Sequence, residues 1–199
     1  MTGKYLQMMM TESVRAAQRR YYRRALMIAD APDHDPLGEA EVRFIADRDS
    51  FYLGSVGETG WPYIQHRGGP KGFLKVLDPF TLAFVDYRGN RQLLSTGNFN
   101  ANGRVALFLM DYKNRSRLKI LGRVRVEDIR EHPALAEQLA QRDIQVKVER
   151  IILIEVLSFD WNCSKHITPR YSLDEVEEAI APLRTRIAEL EAQLASLRT

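Results

Sequence analysis

Two stretches of the chain set cations beside glycines at the ends of strand-like runs. One is Arg67-Gly68-Gly69-Pro70-Lys71, inside IQHRGGPKGFLK; the other is Arg88-Gly89-Asn90-Arg91. Glycine lets a backbone approach a ligand closely, and arginine grips phosphate-like anions in a bidentate fork. The second stretch also opens a helix, so Arg91 and the unpaired amides of a first helical turn can converge on one anion. Arg117 and Lys119 share a face of a later strand by its two-residue period and add a third cationic element. Each piece alone is an ordinary solvated basic segment. Together they point to an anionic ligand.

Other chemistry is missing from the sequence. There is no G-x-S-x-G elbow, phosphate-binding P-loop, G-x-G-x-x-G after a strand, or H-E-x-x-H. The histidines, His34, His66, His132 and His166, lack metal-ligand spacing, so no metal is expected. Cys163 and His166 can be read as nucleophile and base, but their spacing outside a helix sets no geometry, and a buried structural cysteine is the commoner case. No catalytic residue is assigned. The single cysteine excludes an intramolecular disulfide. A net charge of +3 is too small to imply nucleic acid. No apolar run reaches membrane-spanning length and the N-terminal residues lack a secretory pattern, so a reducing cytoplasm is the expected compartment.

The elements that must position these residues follow from periodicity. Residues Thr11–Asp30 read as a helix whose arginines (15, 19, 20, 23 and 24) spread around its circumference. It is either a solvated basic helix or a polyanion-binding one. After the turn-rich DAPDHDPLG comes a short helix, Glu39–Asp47, then a hairpin from FYLGSV and WPYIQHR and a second from FLKVLD and TLAFVDY. A short helix over 90–103, two long apolar strands (104–112 and 117–129), a helix over Pro133–Arg142 and a last strand over 149–162 complete the set. Six or more strands joined mostly by short turns argue for a closed antiparallel barrel, since an open sheet leaves apolar edges unpaired.

The C-terminal residues differ again. Ser172–Glu175 is a capping box, and Val176, Ile180, Leu183, Ile187, Leu190, Leu194 and Leu197 step by alternating fours and threes. Pro182 is expected to kink that helix or mark a restart. So regular a seam calls for a partner helix; packing on the chain's own barrel is the alternative. Three regions result: an N-terminal helical extension and linker (1–37), a barrel domain (38–171) and a heptad-patterned helix (172–199).

The stretch QHRGGPKGFLKVLDPFTLAFVDYRGNRQLLSTGNFNANGRVALFLMD resembles the flavin-binding half of the pyridoxamine 5′-phosphate oxidase-like, FMN-binding split-barrel family. FDWNCSKHITPR resembles a tail segment of one branch of it. The resemblance covers roughly residues 40 to 170. It implies an α+β fold, mainly β, with a six- or seven-stranded antiparallel split barrel, and FMN held at a homodimer interface. By position it makes Arg67 a phosphate cation, and places Val85 and Asp86 where the backbone passes the flavin ring. Asn90 and Arg91 become the polar-cationic pair at the helix start, and Arg117 a polar flavin contact. Gln92 stands where the oxidase pattern has a second cation, which shifts phosphate binding toward His66 or Lys71. The oxidase's Arg-x-His substrate motif is replaced by WNCSKHITPR, which points away from vitamin B6 oxidation. Trp161, after the last strand, is expected either to cover the flavin pocket or to plug the barrel end. The resulting expectation is a dimeric cytoplasmic flavoprotein passing hydride or electrons between FMN and a small substrate. The rivals are a non-catalytic FMN- or haem-binding split barrel, a coiled-coil scaffold, and a polyanion-binding module.

Overall fold

The computed structural model describes residues 2–140, 147–161 and 165–197. Both expected hairpins form: β1 (Ser50–Val56) pairs with β2 (Pro62–Gly68), and β3 (Lys75–Asp78) with β4 (Thr81–Tyr87). The long strands β5 (Arg104–Asp111) and β6 (Ser116–Asp128) pair across their turn, and β7 (Val148–Trp161) lies between β6 and β4. The result is a seven-stranded antiparallel sheet in the order β2-β1-β5-β6-β7-β4-β3.

The sheet rolls up without its ends joining. Phe51 on β1 and Phe84 on β4 have three strands between them on the ladder, yet their rings meet edge to face with centroids 5.5 Å apart. Among the described residues no ladder pairs β2 with β3, which corrects the expectation of a closed barrel. The short β3, four residues against seven in β2, offers little edge to pair, as is common where sheets blunt their margins. This is an α+β split barrel.

Rolling needs a bend, and β7 supplies it. Leu121 faces Ser158 while Gly122 faces Val156, so Leu157 is the extra residue of a bulge. A Cβ at Gly122 would lie 2.5 Å from the Glu155 carbonyl oxygen, so the close approach of the two strands there demands glycine. Inside the roll, Phe51, Leu53, Leu107, Leu109, Leu118, Ile120, Ile154 and Phe84 form one buried core. Strand β4 is buried on both faces, because Ala83 and Val85 pack outward with Ile151 beneath Leu139 of α5 (Pro133–Leu139).

The remaining helices trim the barrel. At one end, α3 (Glu39–Ala46) inserts Ile45, and α1 (Gly3–Met9) lays Tyr5 on the outer face near Lys119. Helix α2 (Glu12–Tyr22) stops well short of the expected Asp30: Arg23 turns left-handed at φ 58°, and the Leu26 amide donates to the Gln18 side-chain oxygen at 2.9 Å. That local bond competes with continued helix. α4 (Leu94–Ala101) follows the second cationic loop, and α6 (Leu173–Ser196) runs unbroken through Pro182. Cys163 and Asn162, with the last two positions of the helix expected to reach Arg142, lie outside the described residues. No helix among the described residues is long and apolar enough to cross a membrane.

Candidate functional site

Strand β2 alternates: Tyr63, Gln65 and Arg67 turn toward the roll's interior while Ile64 and His66 face out. Arg67 thus reaches across the gap in the sheet. Its Nη1 donates to Asp86 Oδ1 on β4 at 2.7 Å. Asp86 sits opposite Arg150 in the β4–β7 ladder, and Arg150 donates to its other oxygen through Nη2 at 2.8 Å and Nε at 3.0 Å. One carboxylate, 8% exposed, therefore orients two guanidiniums. Arg67 keeps its buried Nε without a hydrogen-bond partner among the described residues. A buried donor left in that state costs free energy, so a site that retains one fits an absent acceptor.

The loop after β4 completes the cleft. The Asn90 side-chain oxygen accepts from the Gln92 amide at 3.1 Å, a local turn of the kind asparagine favours. Arg91 (φ 63°) and Leu93 (φ 55°) both sit in the left-handed region, which costs non-glycine residues free energy and concentrates at functional loops. Leu93 is the residue before α4, and no side chain caps that helix. Its first-turn amides therefore point, with the positive end of the helix dipole, toward the cleft that Leu94, Ser95 and Thr96 line. Ser95 donates its hydroxyl to Gln65, tying α4 to β2.

These residues enclose about 90 Å³. That is well below the roughly 300–1,000 Å³ of pockets that take whole small molecules. It suits one phosphate-sized group, with the rest of a ligand lying outside. Three arginines (67, 91 and 150) against Asp86 and Glu149 leave an excess of positive charge in the lining. The donors present fit a phosphate: an orphaned guanidinium nitrogen, a second exposed arginine and an uncapped helix start. No histidine lines the cleft among the described residues.

Of the residues singled out in the sequence, Arg67, Asp86, Asn90, Arg91 and Gln92 come together here. The others go elsewhere. His66 is on the opposite face of β2, its ring 5.7 Å from Tyr52. Arg117 shares that outer face, its guanidinium 5.7 Å from the Phe108 ring and its Nε also buried without a partner among the described residues. Lys119 beside it is taken up by Asp160 at 2.7 Å; burial opposes its charge, but the bond to Asp160 holds its pKa above the ordinary value. Val85 is buried beneath α5. Lys71 faces a second cavity of about 490 Å³ with Arg48, Asp111, Tyr112 and Arg170. There Asp111 meets Arg48 at 3.2 Å, and although burial opposes its charge, hydrogen bonds from Asn114 and then Arg48 hold its pKa below the ordinary value. Trp161 donates its indole N–H to Glu41 and packs edge-on against Phe44 at 4.8 Å, as a plug between β7 and α3.

Sequence reasoning missed Arg150, Gln65 and Ser95. Gln65 carried a signal, since it stands two residues before Arg67 on the same strand face. Arg150 carried none, because only the β4–β7 register brings it to Asp86.

A family model described as pyridoxamine 5′-phosphate oxidase matches residues 37–155, more than half of the chain. The chain belongs to the pyridoxamine 5′-phosphate oxidase-like family. The matched span starts just before α3 and ends within β7, so it holds every residue lining the cleft and leaves out α1, α2 and α6. No curated protein matches the sequence. Among solved structures, HupZ from Group A Streptococcus aligns over 68% of this chain and 100% of its own at 13% identity, with a TM-score of 0.53. A histidine-to-alanine variant of that protein aligns over 63% and 98% at 14% identity, with a TM-score of 0.52. At such identity the likeness speaks for the fold alone. The family's split-barrel architecture and its flavin-binding character are thus the level at which this chain is placed.

Proposed function

We propose that the chain binds FMN with its phosphate in the cleft between β2, β4 and α4, and acts as an FMN-dependent oxidoreductase on a small substrate. The observation that carries this reading is the convergence of Arg67, with its unpartnered Nε, Arg91 and the uncapped start of α4 on one phosphate-sized space. FMN, when bound, supplies reversible hydride and electron transfer, and the protein supplies binding and orientation. Arg67 and Arg91 hold the phosphate charge. Asp86, fixed by Arg150, sets the direction of the Arg67 guanidinium. Gln65 and Ser95 keep α4 at its distance from β2.

The partner in this reading is a second copy, seated on the outer face of β2, β1 and β5. Ile64 is 70% exposed there and Tyr52 41%, with Phe108 across the ladder from Tyr52. An exposed isoleucine and tyrosine on a sheet face with no covering layer suit an interaction surface. His66 and Arg117 lie on the same face, so in this reading both stand at the interface between the two copies. The missing Arg-x-His motif argues against pyridoxamine phosphate as substrate.

The test begins with the absorption spectrum of the purified protein and the identity of any cofactor released on denaturation. FMN and riboflavin are then titrated by flavin fluorescence, and the loaded protein is mixed with NADH or NADPH. FMN should bind at least about tenfold more tightly than riboflavin, because one charged contact is worth about 1.5–3 kcal/mol. Equal affinities would overturn the phosphate assignment. Binding without bleaching by either nucleotide would count against the reductase reading and for a passive flavin carrier.

A further inference from the structure

We propose that α6 pairs with α6 of a second copy of this chain as a parallel, in-register, two-stranded coiled coil. The inference is independent of the cofactor reading. The helix has 24 residues, about 36 Å at 1.5 Å per residue, and none of them is buried. Its start is anchored: Lys113 in the β5–β6 turn meets Glu175 at 3.6 Å, and Arg170 stacks over Tyr112 at 4.9 Å. Beyond that anchor the apolar seam is uncovered, with Leu183 63% and Ile187 56% exposed. The chain's own barrel is therefore not what covers it.

The seam's composition names the occupant. Ile180 and Ile187 fall at the a positions of the heptad and Leu183 and Leu190 at the d positions, the arrangement that favours two parallel strands. Arg186 stands at g and Glu191 at e. In a parallel in-register pair, Arg186 of one helix faces Glu191 of the other, and symmetry repeats the contact. Ala179 at the other central g position introduces no like-charge clash. In the single chain Arg186 bonds Glu189 at 2.9 Å, and both side chains are more than half exposed, so exchanging that partner costs little. Pro182 falls at c, on the outward side, and the helix runs on through it, so its ring stays out of the seam. A two-fold axis along the coiled coil is also compatible with a two-fold pair of barrels.

The test uses the full chain with Cys163→Ser as background. Leu190→Cys should give a disulfide-linked dimer under mild oxidation, because facing positions of a parallel pair bring Cβ atoms within disulfide reach. Thr185→Cys, on the outward side, should not link. Leu183→Glu with Leu190→Glu should lower the melting temperature by about 5 °C or more, while Thr185→Glu leaves it unchanged. Arg186→Glu should lower it measurably, and adding Glu191→Arg should restore it. Three results would each overturn the proposal: no cross-link through position 190, equal linking through 185, or a glutamate pair that melts like the wild type. Sensitivity to Arg184→Glu with indifference to Arg186→Glu would show antiparallel pairing instead and would equally overturn it.

Discussion

Replacing Arg91 with glycine separates anion binding from folding at one position. Arg91 adopts φ 63° and is exposed, with no ion pair among the described residues. The left-handed conformation costs an L-residue roughly 1–2 kcal/mol, and glycine removes that strain. Glycine's greater freedom in the unfolded chain takes back about 0.5–1 kcal/mol. Arg91→Gly should therefore leave the ligand-free protein as stable as the wild type, or more stable by up to about 1.5 kcal/mol, a rise of a few degrees in melting temperature. FMN binding should move the other way. Losing one charge-assisted contact of about 1.5–3 kcal/mol weakens affinity about 10- to 150-fold. Riboflavin, without the phosphate, should bind both proteins alike. Flavin fluorescence titration and thermal melting on the same preparations read both effects. An unchanged FMN affinity would refute the reasoning. An equal loss for riboflavin would show that the residue shapes the loop rather than holding the phosphate.

Two further perturbations probe the buried charges. Arg67→Ala or Arg150→Ala alone leaves Asp86 one cation and should cost about 1.5–3 kcal/mol, while the pair strands a carboxylate only 8% exposed and should cost more than the two losses combined. Urea unfolding of the cycle checks this, and additivity within about 0.5 kcal/mol would show that the arginines do not share Asp86. Asp111 has its pKa held below the ordinary 3.8, so its stabilisation is complete above that value and disappears as pH falls through the lower folded one. The stability gap between wild type and Asp111→Asn should accordingly close as unfolding is followed from about pH 6 to about pH 2; a constant gap would refute the assignment.

The sequence carried the hairpins legibly because their signals are local. Alternation flanked by Gly-Glu-Thr-Gly places β1 and β2, and the two-residue period separates Arg67 from His66. The same period, applied strictly, excludes His66 from the cleft. Long-range register was not legible. Nothing near Arg150 announces that β7 lies between β4 and β6, so the second cation on Asp86 and the true ladder order had to come from the fold. The left-handed turn at Arg23 was hidden for a different reason: residues 23–30 have ordinary helix propensity, and a Gln18 side-chain bond overrides it. The closed barrel was not excluded by any local signal: β3 has four residues, and no ladder joins it to β2 among the described residues.

The gap between β2 and β3 sets where this molecule breathes. Strands β6 and β7 are hydrogen-bonded on both sides, whereas the marginal strands β2 and β3 are laddered on one side only, and β2 reaches across the gap to β4 through Arg67 and Asp86. Amide protons along β2 and β3 should therefore exchange with solvent through small local openings, while those of β6 and β7 wait for global unfolding. The phosphate-sized cleft lies against that margin. An anion can enter there without disturbing the core, and one that holds Arg67 on one side and α4 on the other tightens the least protected part of the sheet. Occupancy of the cleft and slow exchange along β2 are then two readings of one equilibrium.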